Sequence, residues 1–72
     1  MEILNCMGMS CPMPIIRLSK MMKELSSGDR LEVVADDPGF EPDVQAWCNK
    51  TGHRLISLET SGNDIKAIIE KT

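Results

Sequence analysis

The sequence predicts a small α/β fold: a two-layer sandwich with elements in the order βαβαββ, in which two helices cover one face of a four-stranded mixed sheet. Three observations carry this reading. Short apolar runs bounded by Gly, Pro, Asn and Asp mark strands, two intervening stretches repeat apolar residues at helical spacing, and only a tight turn separates the last two strands. Right-handed crossovers between parallel strands then put both helices on the same side of the sheet.

Glu2 to Asn5 reads as the first strand, and Gly8 marks the turn behind it. A helix from Pro14 to Leu25 places Ile15, Leu18, Met22 and Leu25 on one face, and Ser26-Ser27-Gly28 stops it. Arg30 to Ala35 is the second strand, with Leu31 and Val33 inward, Glu32 outward and Val34 an apolar exception. Asp36-Asp37-Pro38-Gly39 breaks it. The second helix, Pro42 to Thr51, has Pro near its first position, ends at Gly52 and carries Val44, Trp47 and Cys48 on a common face. His53 to Glu59 and Ile65 to Glu70 form a hairpin through Ser61-Gly62-Asn63-Asp64.

With 72 residues the chain makes one domain, 1–72. A domain of this size buries only about 60% of its unfolded surface and has little room for an enclosed pocket. A net charge of −3, one Phe, one Trp and no Tyr argue against phosphate tracking and base stacking, so no direct nucleic-acid ligand is expected. No apolar run approaches the roughly 20 residues of a membrane span, and Met1-Glu2-Ile3-Leu4 lacks the pattern of a signal peptide. These features point to a cytoplasmic protein without membrane insertion; a monomer is expected, the alternative being a dimer through the open sheet face around Val34. Three cysteines, an odd count, favour reduced thiols over a disulfide framework.

The most informative segment is Gly8-Met9-Ser10-Cys11-Pro12-Met13-Pro14. Cys11 opens a Cys-Pro-x-Pro turn at the start of an amphipathic helix, where unpaired amides and the helix dipole favour an anion. A thiol there is expected to fall well below the roughly 8.5 of a free cysteine. Pro12 and Pro14 suit a first helical turn, which has no partner for their missing donors, and they shape a loop that leaves Cys11 exposed.

Cys6 is either a resolving thiol, able to bridge to Cys11, or a small apolar filler at a strand end. Cys48, beside Val44 and Trp47, reads as core. His53 reads as a surface residue. Cys6, Cys11, Cys48 and His53 have the chemistry of zinc ligands, but their spacings lack a tight knuckle, and no metal site is expected. Asp36-Asp37 reads as a turn that caps the second helix rather than as an acid–base pair. On the first helix, the face opposite the core carries Arg17, Lys20 and Lys23. Near its start Met13 and Ile16, with Met9, are expected to form a soft apolar patch around Cys11, a docking surface for partner proteins.

Leu4-Asn5-Cys6-Met7-Gly8-Met9-Ser10-Cys11-Pro12-Met13-Pro14, followed by a helix, Gly28-Asp29, a strand, Ala35-Asp36-Asp37-Pro38 and later Trp47-Cys48, resembles the TusA-type (SirA-like) sulfur-carrier family. The resemblance covers essentially the whole chain. It implies a two-layer fold like the C-terminal domain of bacterial translation initiation factor three. It also implies that Cys11 accepts sulfane sulfur as a persulfide from a donor protein, such as a cysteine desulfurase or rhodanese, and hands it to an acceptor protein. The pathway would be tRNA thiolation, cofactor synthesis or dissimilatory sulfur metabolism, with no small-molecule cofactor. Two departures are Asn5, where the family usually carries Asp, and the extra Cys6. Two rival readings are a redox or metal-binding module using Cys6 with Cys11, and a noncatalytic interaction domain regulating a membrane transporter or a selenium-handling partner.

Overall fold

Local chain signals and one layer of apolar side chains explain the architecture of the computed structural model, which describes residues 1–72. The elements are β1 (Glu2–Cys6), α1 (Met13–Met22), β2 (Arg30–Ala35), α2 (Phe40–Thr51), β3 (Arg54–Ser61) and β4 (Asp64–Glu70). The sheet order is β1-β2-β4-β3. β1 pairs parallel to β2, and β4 runs antiparallel to both β2 and β3. Both crossovers therefore step the same way across the sheet. This places α1 and α2 side by side, parallel to each other, with both N-termini over the C-terminal ends of β1 and β2.

Period-two alternation decides which sheet face is covered. Leu31, Val33 and Ala35 of β2 and Ile65, Ala67 and Ile69 of β4 are buried beneath Pro14, Leu18 and Met22 of α1 and Phe40, Val44 and Cys48 of α2. Val34 lies on the opposite face, half-buried between Asn5 and Lys66 of the neighbouring strands. In β3 the register passes from Leu55↔Ile69 to Ser57↔Ile68, so Ile56 is an extra residue. That bulge lets Leu55 and Leu58, three positions apart, both pack against the core.

Several boundaries differ from the sequence reading. α1 ends at Met22 rather than Leu25. The Glu24 and Leu25 amides tighten onto the carbonyls of Met21 and Met22, and the end of β4 captures the chain there. Lys71 Nζ donates to the Leu25 carbonyl at 2.6 Å and Gly28 N–H donates to the Lys71 carbonyl at 2.7 Å. α2 begins at Phe40, before Pro42, because the Asp37 carbonyl accepts the Phe40 amide at 2.9 Å and the phenyl ring is fully buried. Pro42 still falls in the first turn, where its missing N–H costs nothing. β1 runs on to Cys6, and the hairpin strands close to leave only Gly62-Asn63 between them.

Candidate functional site

Cys11 sits in the turn that joins β1 to α1, over the C-terminal edge of the parallel strands. Met7 and Gly8 leave β1 in a turn that Gly8 makes at φ +81°, a backbone setting that L side chains rarely adopt. Three short hydrogen bonds then pin the segment. Asn5 Oδ1 accepts the Met7 amide at 2.9 Å, Asp36 Oδ1 accepts the Gly8 amide at 2.9 Å, and Asp37 Oδ2 accepts the Cys11 amide at 3.0 Å. Gly39 leaves room for the Asp37 carboxylate that makes this bond, since a β-carbon there would lie 3.2 Å from Asp37 Oδ2, a tight approach, and 3.7 Å from the Cys11 β-carbon, an ordinary contact. Cys11 is exposed, whereas Cys6 and Cys48 are buried.

Asp36 and Asp37 are structural, as the sequence suggested, but in a different place. No side chain caps α2. Their carboxylates reach back across 28 and 26 residues to hold the cysteine loop. The α2 residue that enters the site is Asp43, in the first turn of that helix, and the sequence reading did not single it out. The Cys11 thiol donates to Asp43 Oδ2 at 2.8 Å. The signal was present as an acidic residue in the first turn of a second parallel helix, but using it requires knowing that the two helix starts converge.

The acidic thiol expected from the helix terminus is corrected by this geometry. The hydrogen bond to Asp43 holds the Cys11 proton in place, and the charges of Asp43 and Asp37 add to it, so its pKa lies above the ordinary cysteine value. The helix start cannot answer with free amides. Pro12 and Pro14 have none, Met13 donates to the Ser10 carbonyl, and Ile15 and Ile16 donate to the Pro12 carbonyl. In the resting protein Cys11 is therefore a neutral thiol.

The expected docking residues surround this turn unevenly. Met13 and Ile16 are 43% and 52% exposed, and Arg17 and Lys20 are exposed along α1. Met9 is instead half-buried and packs against the core, because Gly8 turns the chain inward. Met7, 40% exposed, lies on the surface of the same loop. Between the helices Ile15, Ile16, Ser19, Lys20, Lys23 and Trp47 line a shallow groove of about 600 Å³.

The other thiols and the histidine lie elsewhere. Cys6 is fully buried at the end of β1, where desolvation pushes its pKa up and Arg17 partly offsets the rise. Cys48 is buried in the core with its pKa likewise pushed up by desolvation. His53 follows the far end of α2, with its ring centroid 5.4 Å from that of Trp47 and its Nδ1 accepting the Thr72 amide at 3.3 Å. The length of α2 thus separates His53 from Cys11. No three His, Cys, Asp or Glu side chains converge as metal ligands. No helix is long and apolar enough to cross a membrane.

Comparison with known proteins agrees with this architecture. Residues 2–71 match the family model described as sulfurtransferase TusA. YrkI of Bacillus subtilis is 43% identical over 70 residues, which cover 97% of this chain and 93% of YrkI. YrkF of the same organism is 38% identical over 69 residues, 96% of this chain but 37% of YrkF, so the chain spans little more than a third of that relative. Both are candidate sulfur carriers by name. The crystal structure of a SirA-like protein from Desulfitobacterium hafniense superposes with a TM-score of 0.84 at 27% identity, covering 97% of this chain and 96% of the other.

Proposed function

The chain belongs to the TusA sulfurtransferase family, and on that premise we propose that it is a cytoplasmic sulfur carrier with Cys11 as its persulfide site. A donor protein, of the cysteine desulfurase or rhodanese kind, brings a sulfane sulfur to Cys11. An acceptor protein then removes it. The observation that carries this reading is the presentation of one exposed thiol on a rigidly tied loop, while the other two thiols are buried.

The chemistry needs no cofactor and no net redox change. Loading converts Cys11–SH and donor R–S–SH into Cys11–S–SH and R–SH: an Sγ–S bond forms, the donor S–S bond breaks, and the Cys11 proton passes to the departing donor thiolate. Unloading repeats the displacement, with the acceptor thiolate attacking the outer sulfur. Pro12 and Pro14 shape the turn, Gly8 lets the chain enter it, and Met13, Ile16, Arg17 and Lys20 supply adaptable apolar and charged contact area for two partners in succession. Met9 supports that surface from beneath.

Intact-mass measurement after incubation with a persulfide-bearing donor tests the assignment. Wild-type protein gains the mass of a sulfur atom and Cys11→Ser does not. Sulfur gained by Cys11→Ser removes Cys11 from the role. Equal loading of Cys6→Ala and wild type is the expected companion result, since Cys6 lies within the core.

A further inference from the structure

We infer that Asp43 sets the charge preference of Cys11: its carboxylate, hydrogen-bonded to Sγ, directs the thiol toward sulfur compounds and protein partners that carry a Lys, Arg or other cationic group beside the reacting sulfur. Asp43 Oδ2 lies 2.8 Å from Sγ, and Asp37 Oδ2, which holds the Cys11 amide at 3.0 Å, adds a second negative charge on the same side. Asp36 stands in the adjacent loop, with its Oδ1 2.9 Å from the Gly8 amide. Glu41 shares the first turn of α2 with Asp43. The cations of α1, Arg17, Lys20 and Lys23, lie further along the helix. The surface thus has two signs: negative at the sulfur itself and positive along the adjoining helix.

This arrangement works in two ways. While Asp43 accepts the S–H, the thiol stays protonated and reacts slowly with stray electrophiles. A partner that brings a cation to the carboxylate competes for Oδ2, weakens its hold on the proton and lowers the cost of forming the thiolate where the reacting sulfur waits. An anionic reagent meets repulsion at the same place. The biological meaning rests on the sulfur-carrier reading, but the selectivity can be measured without any sulfur transfer.

Three small disulfides of similar size provide the probe: cystamine, which is cationic, bis(2-hydroxyethyl) disulfide, which is neutral, and 3,3′-dithiodipropionate, which is anionic. Each reaction is balanced, Cys11–SH and R–S–S–R giving Cys11–S–S–R and R–SH. Mass mapping assigns the adduct to Cys11, and each rate is divided by that for N-acetylcysteine amide, which removes intrinsic reactivity. Wild type is expected to prefer cystamine over the neutral reagent by about fivefold to tenfold and to disfavour the anion, as opposite charges about 4 Å apart in a water-like dielectric require. In Asp43→Asn, an isosteric change, the three normalised rates draw together and the neutral reagent reacts faster than with wild type. Glu24→Gln, the same charge change at the other end of α1, keeps the wild-type order.

A wild type without charge preference overturns the inference, and so does an Asp43→Asn protein that keeps the preference. Should Asp43→Asn fail to fold, Asp43→Ser takes its place in the same comparison, and a wild type without the preference overturns the inference by itself. At about 1 M salt, where the screening length is near 3 Å, the preference must shrink, and a preference that does not change overturns the inference as well. Failure of the carrier reading shows separately, as no sulfur gained by wild type from a persulfide donor.

Discussion

Replacing Asp37 by alanine tests the tie that presents the cysteine. The change removes the carboxylate that accepts the Cys11 amide at 3.0 Å and leaves intact the Asp37 carbonyl that starts α2. A hydrogen bond to a charged acceptor contributes about 1.5–3 kcal/mol, and half-exposure of Asp37 reduces this to about 1 kcal/mol. In a domain of this size that loss lowers the melting temperature by about 4–8 °C. Hydrogen exchange should localise it: the Cys11 amide exchanges faster, whereas the Gly8 amide, held by Asp36 Oδ1 at 2.9 Å, stays protected. The same substitution removes one of the charges that hold the thiol protonated, so the midpoint of Cys11 alkylation moves to lower pH. An Asp37→Ala protein whose melting, Cys11 amide exchange and alkylation midpoint all match wild type would show that this carboxylate does not hold the cysteine loop.

Two further outcomes are expected. Arg17→Glu or Lys20→Glu, on the exposed face of α1, should leave melting nearly unchanged and slow sulfur loading from a protein donor severalfold at low salt, since rim charges act on association rates; unchanged loading kinetics would remove α1 from the docking surface. Stability should also decline at alkaline pH. Burial raises the pKa of Cys6 and Cys48 above their unfolded values, so the native state binds more protons than the unfolded state once the medium passes the ordinary cysteine range. Their contribution is complete below the unfolded pKa and is lost as pH rises through the folded ones, at up to about 1.4 kcal/mol per pH unit for each thiol. Denaturation midpoints measured between neutral pH and pH 10 should therefore fall more steeply in wild type than in Cys6→Ala/Cys48→Ala, where Cys11 is the one thiol left with a raised pKa, and parallel slopes in the two proteins would contradict the assignment.

What could be read from the sequence was what depends on local pattern. Leu31 and Val33 alternate against Glu32, Leu18 and Met22 repeat at helical spacing, and the Gly62-Asn63 connection lies within the turn proposed from Ser61 to Asp64, so element order, layers and most of the core followed directly. Ends set by distant contacts did not. α1 stops where Lys71, from the end of β4, takes hold of Leu25 and Gly28. Ile56 forms a bulge that period-two counting cannot anticipate. In the site, Cys11 and its prolines were legible because their chemistry is local. Met9 was placed on the surface by its neighbours in sequence, yet the turn at Gly8 sends it toward the core.

The ionisation state of Cys11 shows why a local rule failed at the site itself. A helix N-terminus carries about half a positive charge, spread over its first amides, and its effect falls off within a turn. Here those amides are engaged with the Ser10 and Pro12 carbonyls or absent at proline, so none points at the sulfur. Against this diffuse half-charge stands a full carboxylate in hydrogen-bond contact with Sγ, and a second one beside it. At 2.8 Å the nearer and larger charge decides, and the thiol keeps its proton. Asp43 can do this because α2 starts beside α1, which follows from the strand order that makes both crossovers step the same way. A carrier built so is quiet between partners: its sulfur is exposed, but its readiness to react depends on what a partner does to the Asp43 carboxylate.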